Sequence, residues 1–194
     1  MSFNQLSKTH GILTGTGIIK PMRYSVDVSR SSQFASGMLM MLPLVKGAAL
    51  SLPYANGNIE LVSKPYFNLT LELMKRFGIQ FKADYLKDSV VLSASGKYSF
   101  PGNISLSGDG SYAANYIVAN CFGSDVKFSN YPDFMQSDTV IDSIIHKDVI
   151  DISDCPDLFP ILCIAACGKN GLAVIKNTAR LSTKESDRVF SMQA

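Results

Sequence analysis

Histidine is scarce, with only His10 and His146, and the four cysteines, Cys121, Cys155, Cys163 and Cys167, do not have the spacing of a zinc knuckle. No metal site is expected. An excess of one charge is also lacking: 18 Lys and Arg face 16 Asp and Glu, and the basic residues are spread along the chain, which gives no case for nucleic-acid binding. Lys46, Lys64, Arg76 and Lys82 read as solvated faces. Long apolar runs are missing too, since Met38 to Val45 carries Pro43 and is well short of the roughly 20 residues that a membrane span requires. The polar opening MSFNQLSKTH lacks the basic, apolar and small-residue regions of a secretory signal, so cytoplasmic residence without membrane contact is expected. Cys163 and Cys167, four apart within LFPILCIAACG, share a face of an apolar helix and are expected to be buried free thiols, as in a reducing compartment.

What is present is a unit written three times: a polar N-cap cluster, an apolar helix, a glycine, a strand and a second, polar-started helix. The first copy reads SSQFASGMLMMLPLVKG, AALSL and SKPYFNLTLELMKRFG. The second reads GSYAANYIVANCFG, DVKFS and FMQSDTVIDSIIHK, and the third PDLFPILCIAACGKNG, LAVIKN and STKESDRVFSMQA. Self-similarity on this scale implies a supersecondary unit that cannot bury its apolar face alone and stacks on its siblings.

Residues 1 to about 22 have no clear period, and the glycines of GILTGTGIIKP suggest a bent strand or turn. Their TGTG lacks the Gly-Lys-Ser/Thr ending of a phosphate loop. Alternation predicts a strand from Tyr24 to Val28, followed by an apolar helix to Leu44 and a strand over Ala48 to Leu52. Ser63 with Pro65 starts a helix that ends at Gly78, and Ile79 to Leu86 and Ser89 to Ser95 form a strand pair around Lys87-Asp88. That makes a complete βαβαββ unit. A boundary or hinge is expected near residues 96–107, where Gly96, Pro101 and Gly102 interrupt the pattern, with a fresh strand at Ile104 to Ser107. After it come shortened or incomplete units linked by the short strand VIDIS.

Several helix starts carry groups suited to anions, because unpaired backbone N–H groups and the helix dipole favour negative charge there. Ser31 and Ser32 add hydroxyls and Gln33 an amide; simple capping is the alternative. Ser63-Lys64-Pro65-Tyr66 offers a hydroxyl, a cation and a phenol, or an N-cap followed by a packed tyrosine. Asp157, at the edge of an apolar helix, can serve the helix dipole, or, partly desolvated, can accept and return a proton. Lys184-Glu185-Ser186-Asp187-Arg188 is the densest charge cluster and is expected at the start of the last helix. Glu185 and Arg188 would there form a surface pair, or Lys184 and Arg188 would clamp anions while Glu185 shuttles a proton.

Five segments in order, SSQFASGMLMMLPL, LVSKPYFNLTLELMKRFGI, GDGSYAANYIVA, DCPDLFPILCIAACGKNG and ARLSTKESDR, together resemble the 5-enolpyruvylshikimate 3-phosphate synthases, the 3-phosphoshikimate 1-carboxyvinyltransferases of aromatic amino-acid biosynthesis. The resemblance runs from about residue 25 to 190. It implies a mixed α/β (α+β) fold of repeated βαβαββ units in an inside-out α/β barrel, present here incompletely. Residues 1–106 would be the closing unit of one half and 107–194 the incomplete beginning of the other. It further implies shikimate 3-phosphate and phosphoenolpyruvate as substrates, and no metal or organic cofactor. By motif, Ser31, Ser32 and Ser63 would hold the phosphate of shikimate 3-phosphate, Tyr66 would lie by its ring, and Gln33 would reach phosphoenolpyruvate. Asp157 would act as base for the attacking hydroxyl with Lys184 on the same substrate, Glu185 would handle the proton at the phosphoenolpyruvate methylene, and Arg188 would bind its carboxylate.

Some expected elements are absent from the sequence. Ser182 stands where the family usually has a basic residue, and there is no Lys-Ser segment followed by Arg, no Asn-Ala-Gly-Thr loop, no Arg-Pro and no Asp-His-Arg. A central fragment, inactive alone, is therefore expected, and self-association or pairing with a complementary fragment would cover its unpartnered faces. The alternatives are a UDP-N-acetylglucosamine carboxyvinyltransferase-like enzyme, disfavoured by the KESDR and SSQ segments, and a degenerate binding or assembly module.

Overall fold

The computed structural model describes residues 2–132 and 135–193. A hairpin comes first: β1 (Ser2–Gln5) pairs antiparallel with β2 (Gly11–Thr14), in register Ser2 to Thr14, and pairs with nothing else among the described residues. The expected bent strand is thus one arm of this hairpin. The TGTG stretch leaves β2 as a bend and leads to no helix.

The first repeat is a βαβαββ unit. Its order is β3 (Arg23–Ser25), α1 (Gln33–Met41), β4 (Ala49–Ala55), the two-residue β5 (Asn58–Ile59) against β4, α2 (Lys64–Arg76), β6 (Gln80–Tyr85) and β7 (Ser89–Ser95). The sheet runs β3-β4-β7-β6, with β3 parallel to β4 and the other pairs antiparallel. Period-two alternation sets its inner face. Leu50 lies opposite Leu92 and Leu52 opposite Val90, so four apolar side chains point the same way. Against them pack Ala35 and Leu39, one turn apart on α1, and Phe67 and Met74 on α2, all buried. Each large side chain so buried contributes about 1.5–3 kcal/mol.

Proline and glycine punctuate the unit. Pro43 cannot donate to the α-helical ladder, and Leu42–Leu44 tighten into a 3-10 turn after α1. At the end of α2, Gly78 takes φ +86° while its N–H and that of Ile79 bond to Lys75 O and Met74 O at 2.9 and 3.0 Å, a Schellman ending. A Cβ on Gly78 would stand 2.6 Å from Ser99 Oγ, so no other residue fits without a shift.

Residues 96–109 form no regular element, with left-handed Gly96 and Gly102. The strand expected at Ile104 to Ser107 is not formed, and neither is DVKFS. The nearest backbone pairing is one isolated parallel bridge, Gly108 to Pro132. Alternation alone does not make a strand; a ladder needs continuous backbone pairing, and here the neighbouring segment is met only at that bridge and through Asn130 Nδ2, which donates to Leu106 O at 3.1 Å.

The later part contains α3 (Gly110–Cys121), a 3-10 turn (Ser137–Val140), α4 (Ile141–Ile144), β8 (Val149–Asp151), a 3-10 turn (Pro156–Leu158), α5 (Phe159–Cys167), β9 (Val174–Lys176), a longer 3-10 stretch (Thr178–Thr183) and α6 (Arg188–Ser191). Of the expected helix FMQSDTVIDSIIHK, Phe134 lies outside the described residues, and only Ser137 to Ile144 are helical, divided between the 3-10 turn and α4. Asp109 caps α3 by accepting the Tyr112 N–H at 2.9 Å. Strands β8 and β9 are parallel and α5 joins them. A second core gathers Ala114, Val118, Ile141, Ile150, Leu158, Leu162 and Leu181, and shares no residue with the first.

All four cysteines are free, but only Cys155 is buried. Cys163 is half-buried and Cys167 exposed, against expectation, because the core face of α5 is carried by Phe159, Leu162 and Ala165. No helix among the described residues is long and apolar enough to cross a membrane.

Candidate functional site

The helix starts of the first unit face two turns of the later part across a cleft of about 540 Å³. From the first side come Ser31, Ser32 and Gln33 at the start of α1, and Ser63 and Tyr66 at the start of α2. From the other come Asp157, Arg180, Lys184 and Glu185. A neighbouring cleft of about 660 Å³ shares Gln33, Asp157, Lys184 and Glu185 and adds Ser111 and Arg188. The nine residues given substrate or proton-transfer roles, Ser31, Ser32, Gln33, Ser63, Tyr66, Asp157, Lys184, Glu185 and Arg188, each line one of the two adjoining clefts, whereas Lys64 and Asp187 line neither.

Two of the three serines, Ser32 and Ser63, do not cap their helices. Ser32 is buried in the N-cap position of α1, yet its side chain caps no backbone N–H, and Ser31 Oγ accepts the Gln33 N–H at 3.2 Å. Ser63 precedes α2 and likewise makes no cap bond. Its backbone is left-handed, φ +49° and ψ +44°, a conformation that costs a non-glycine residue about 1–3 kcal/mol. Its hydroxyl accepts instead from Arg180 Nη2 at 3.0 Å, across 117 residues of sequence. Lys64 donates to Asn58 Oδ1 at 3.3 Å.

Asp157 lies in the turn that leads into α5 and anchors the charged cluster. Its Oδ1 accepts from Arg188 Nη1 at 2.6 Å and pairs with Lys184 Nζ at 3.5 Å. Arg188 Nη2 also reaches Glu185 Oε2 at 3.3 Å. The cluster is shielded unevenly, because the side chain of Glu185 is 85% exposed and those of Asp157 and Arg188 are 36% and 22% exposed. Glu185 is held below the ordinary carboxylate range, first by its own backbone N–H and then by Arg188.

The position of this cluster differs from expectation. Lys184 to Ser186 do not open a helix; they form bends between the 3-10 stretch and the four-residue α6. The cause is Asp187, whose side chain accepts the Phe190 N–H at 3.1 Å and fixes the helix start at Arg188. Ser182 is exposed, donates to Ala179 O at 3.1 Å and does not line the cleft, whereas Arg180 does.

Beneath the cleft lies a buried polar group that sequence patterning did not reveal. Asp138 is 1% exposed, accepts from Ser111 Oγ and from Ser137 Oγ, and is pushed above the ordinary carboxylate range by burial. The Tyr66 hydroxyl joins this group from α2. Burial raises it to about 12, helped by the Asp138 and Asp157 carboxylates and opposed by Ser137 and Ser111. Asp138 and Arg180 were hidden because their roles depend on partners 27 and 117 residues away. The polar QSDTV segment preceding IIHK was the one local sign of the former. No group of three or more potential metal ligands occurs among the described residues.

The model of the EPSP synthase family, 3-phosphoshikimate 1-carboxyvinyltransferase, matches residues 13–147. The 3-phosphoshikimate 1-carboxyvinyltransferase of Clostridium novyi is 31% identical over 202 residues, covering 93% of this chain and 45% of its own length. That of Clostridium perfringens strain 13 is 32% identical over 197 residues, covering 89% and 45%. That of Thermococcus kodakarensis is 32% identical over 203 residues, covering 93% and 47%. The chain spans about half the length of the curated relatives it matches.

Proposed function

The chain belongs to the EPSP synthase family, and from that premise we propose that it serves the transfer of the carboxyvinyl group of phosphoenolpyruvate to the 5-hydroxyl of shikimate 3-phosphate. The observation that carries this is the meeting, in one cleft, of hydroxyls from two helix starts of the first unit with the Asp157, Lys184 and Glu185 side chains of the later part. Two anionic substrates must be brought together, which calls for hydroxyl and backbone donors on one wall and cations on the other.

In this reaction Ser31, Ser32 and Ser63 hold the phosphate of shikimate 3-phosphate, and Tyr66 lies by its ring. Asp157 accepts the proton of the 5-hydroxyl as its oxygen bonds to C2 of phosphoenolpyruvate, while a proton is added at C3. The tetrahedral intermediate then loses inorganic phosphate from C2 and a proton from C3, which restores the vinyl group. Glu185 carries the C3 proton, Arg188 binds the substrate carboxylate, Gln33 reaches phosphoenolpyruvate and Lys184 touches shikimate 3-phosphate. In the free cleft Glu185 is held ionised first by its own backbone N–H and then by Arg188, which is itself engaged by Asp157. A substrate carboxylate that draws Arg188 away frees Asp157 as a base and relaxes the hold on Glu185, so substrate binding prepares both proton carriers.

The wider expectations remain proposals with the same support. Residues 1–106 close one half of an inside-out α/β barrel and 107–194 begin the other, in keeping with two cores that share no residue. Residence is cytoplasmic, and the 194 residues alone do not turn over, since several cationic motifs of the family are absent from their sequence. Titration calorimetry of the chain with shikimate 3-phosphate and with UDP-N-acetylglucosamine tests the substrate class. Heat with the former alone is expected; preference for the UDP sugar would replace this reading by the related transferase, and binding of neither would leave a packing module.

A further inference from the structure

We propose that Arg180 is a specificity-determining residue that clamps the phosphate of the ring substrate against Ser31, Ser32 and Ser63; this rests on the substrate reading above. Its position is fixed rather than incidental. Arg180 precedes Leu181, which is fully buried in the second core, so the backbone that carries the guanidinium is anchored. The side chain is half-buried in the cleft and its Nη2 donates to Ser63 Oγ on the opposite wall.

The chemistry of that corner suits a phosphate monoester. Ser63 accepts from Arg180, so its own O–H remains to donate. Its left-handed backbone leaves the hydroxyl in the cleft rather than over the N–H groups of α2. Ser32, buried and likewise not capping, offers a second hydroxyl, and Ser31 a third. Lys184 and Arg188 lie against Asp157, and Arg180 and the exposed Arg30 line the cleft beside the serines. A guanidinium presents several N–H donors in one plane, matching two oxygens of a phosphate at once, while hydroxyls complete the remaining contacts. Because Arg180 adjoins Leu181 of the second core and the serines stand at the starts of helices packed in the first, the phosphate also ties the two walls of the cleft together.

The test measures affinities of the full 194-residue chain, native, R180Q and R180K, for shikimate 3-phosphate, shikimate and phosphoenolpyruvate. The native chain should bind shikimate 3-phosphate at least tenfold more tightly than shikimate. R180Q should lose at least tenfold on the phosphorylated ring and nothing on shikimate or phosphoenolpyruvate, and R180K should recover part of the loss, having charge without the fork. If R180Q loses its folded circular-dichroism signal, R180K alone carries the test through an expected weakening of at least threefold. Undiminished phosphate discrimination in folded R180Q, a weakening of less than threefold in folded R180K, or a loss confined to phosphoenolpyruvate overturns the role of Arg180. A native chain that does not distinguish the phosphorylated ring from shikimate overturns the substrate reading and this role with it.

Discussion

Replacing Asp157 by Asn should tighten the binding of phosphoenolpyruvate rather than weaken it. In the free cleft one oxygen of Asp157 engages both Arg188, at 2.6 Å, and Lys184, at 3.5 Å, and an incoming anion must compete for those cations. Unit charges about 4 Å apart attract by roughly 1 kcal/mol in water and roughly 4 kcal/mol in a surface-like dielectric of about 20. The three side chains are 22–36% exposed, and the asparagine retains one acceptor oxygen, so the release lies toward the lower end, about 1.5 kcal/mol. That corresponds to roughly a tenfold smaller Kd. Calorimetric titration of native and D157N chains with phosphoenolpyruvate, at low and high ionic strength, reads it directly. The gain should shrink with salt, because partly exposed pairs are screened. Unchanged or weaker binding by D157N would mean that Asp157 does not restrain the cations, and the proposed release of the base by substrate would fall with it.

Three further outcomes are expected. Phe67→Ala removes a fully buried ring from the first core and should cost about 3–5 kcal/mol in urea unfolding; a loss below about 1 kcal/mol would show that this core is not packed as described. Burial raises the Asp138 carboxyl above its ordinary value of 3.8, so the folded state binds its proton more tightly than the unfolded state. This contribution to stability is complete below pH 3.8 and is lost as pH rises through the raised value, so D138N should gain on the native chain across that window and then run parallel; a constant difference in urea midpoints would contradict it. The hairpin leaves Phe3, Ile12 and Leu13 more than half exposed, and light scattering should show self-association that a complementary fragment of the fold suppresses; a monodisperse monomer would count against it.

The first unit was legible because its signals are local. Alternation in β4 and β7, Pro65 inside the start of α2 and Gly78 just past its end each determine structure within a few residues. Ile104 to Ser107 and DVKFS carry a similar pattern and yet form no strand, since pairing is not a local property. The last helix was misplaced because Asp187, a residue inside the charged cluster, outcompetes the positions before it as a cap. At the site, residue types and motif order indicated Ser31, Ser63, Asp157 and Lys184, but sequence spacing could not show that Ser63 faces Arg180 or that Arg188 and Lys184 meet on a single oxygen of Asp157. The left-handed backbone of Ser63 has no sequence signature at all.

The phosphate corner can be observed residue by residue by titrating shikimate 3-phosphate into the isotopically labelled chain and following backbone amide resonances. Saturable shifts should concentrate at Ser31, Ser32, Gln33 and Ser63, with the Arg180 side-chain resonance moving in the same titration and unphosphorylated shikimate producing little at these positions. No shift at Ser31 to Gln33 and Ser63, with a spectrum that is otherwise that of a folded chain, would mean that the cleft does not receive the phosphate.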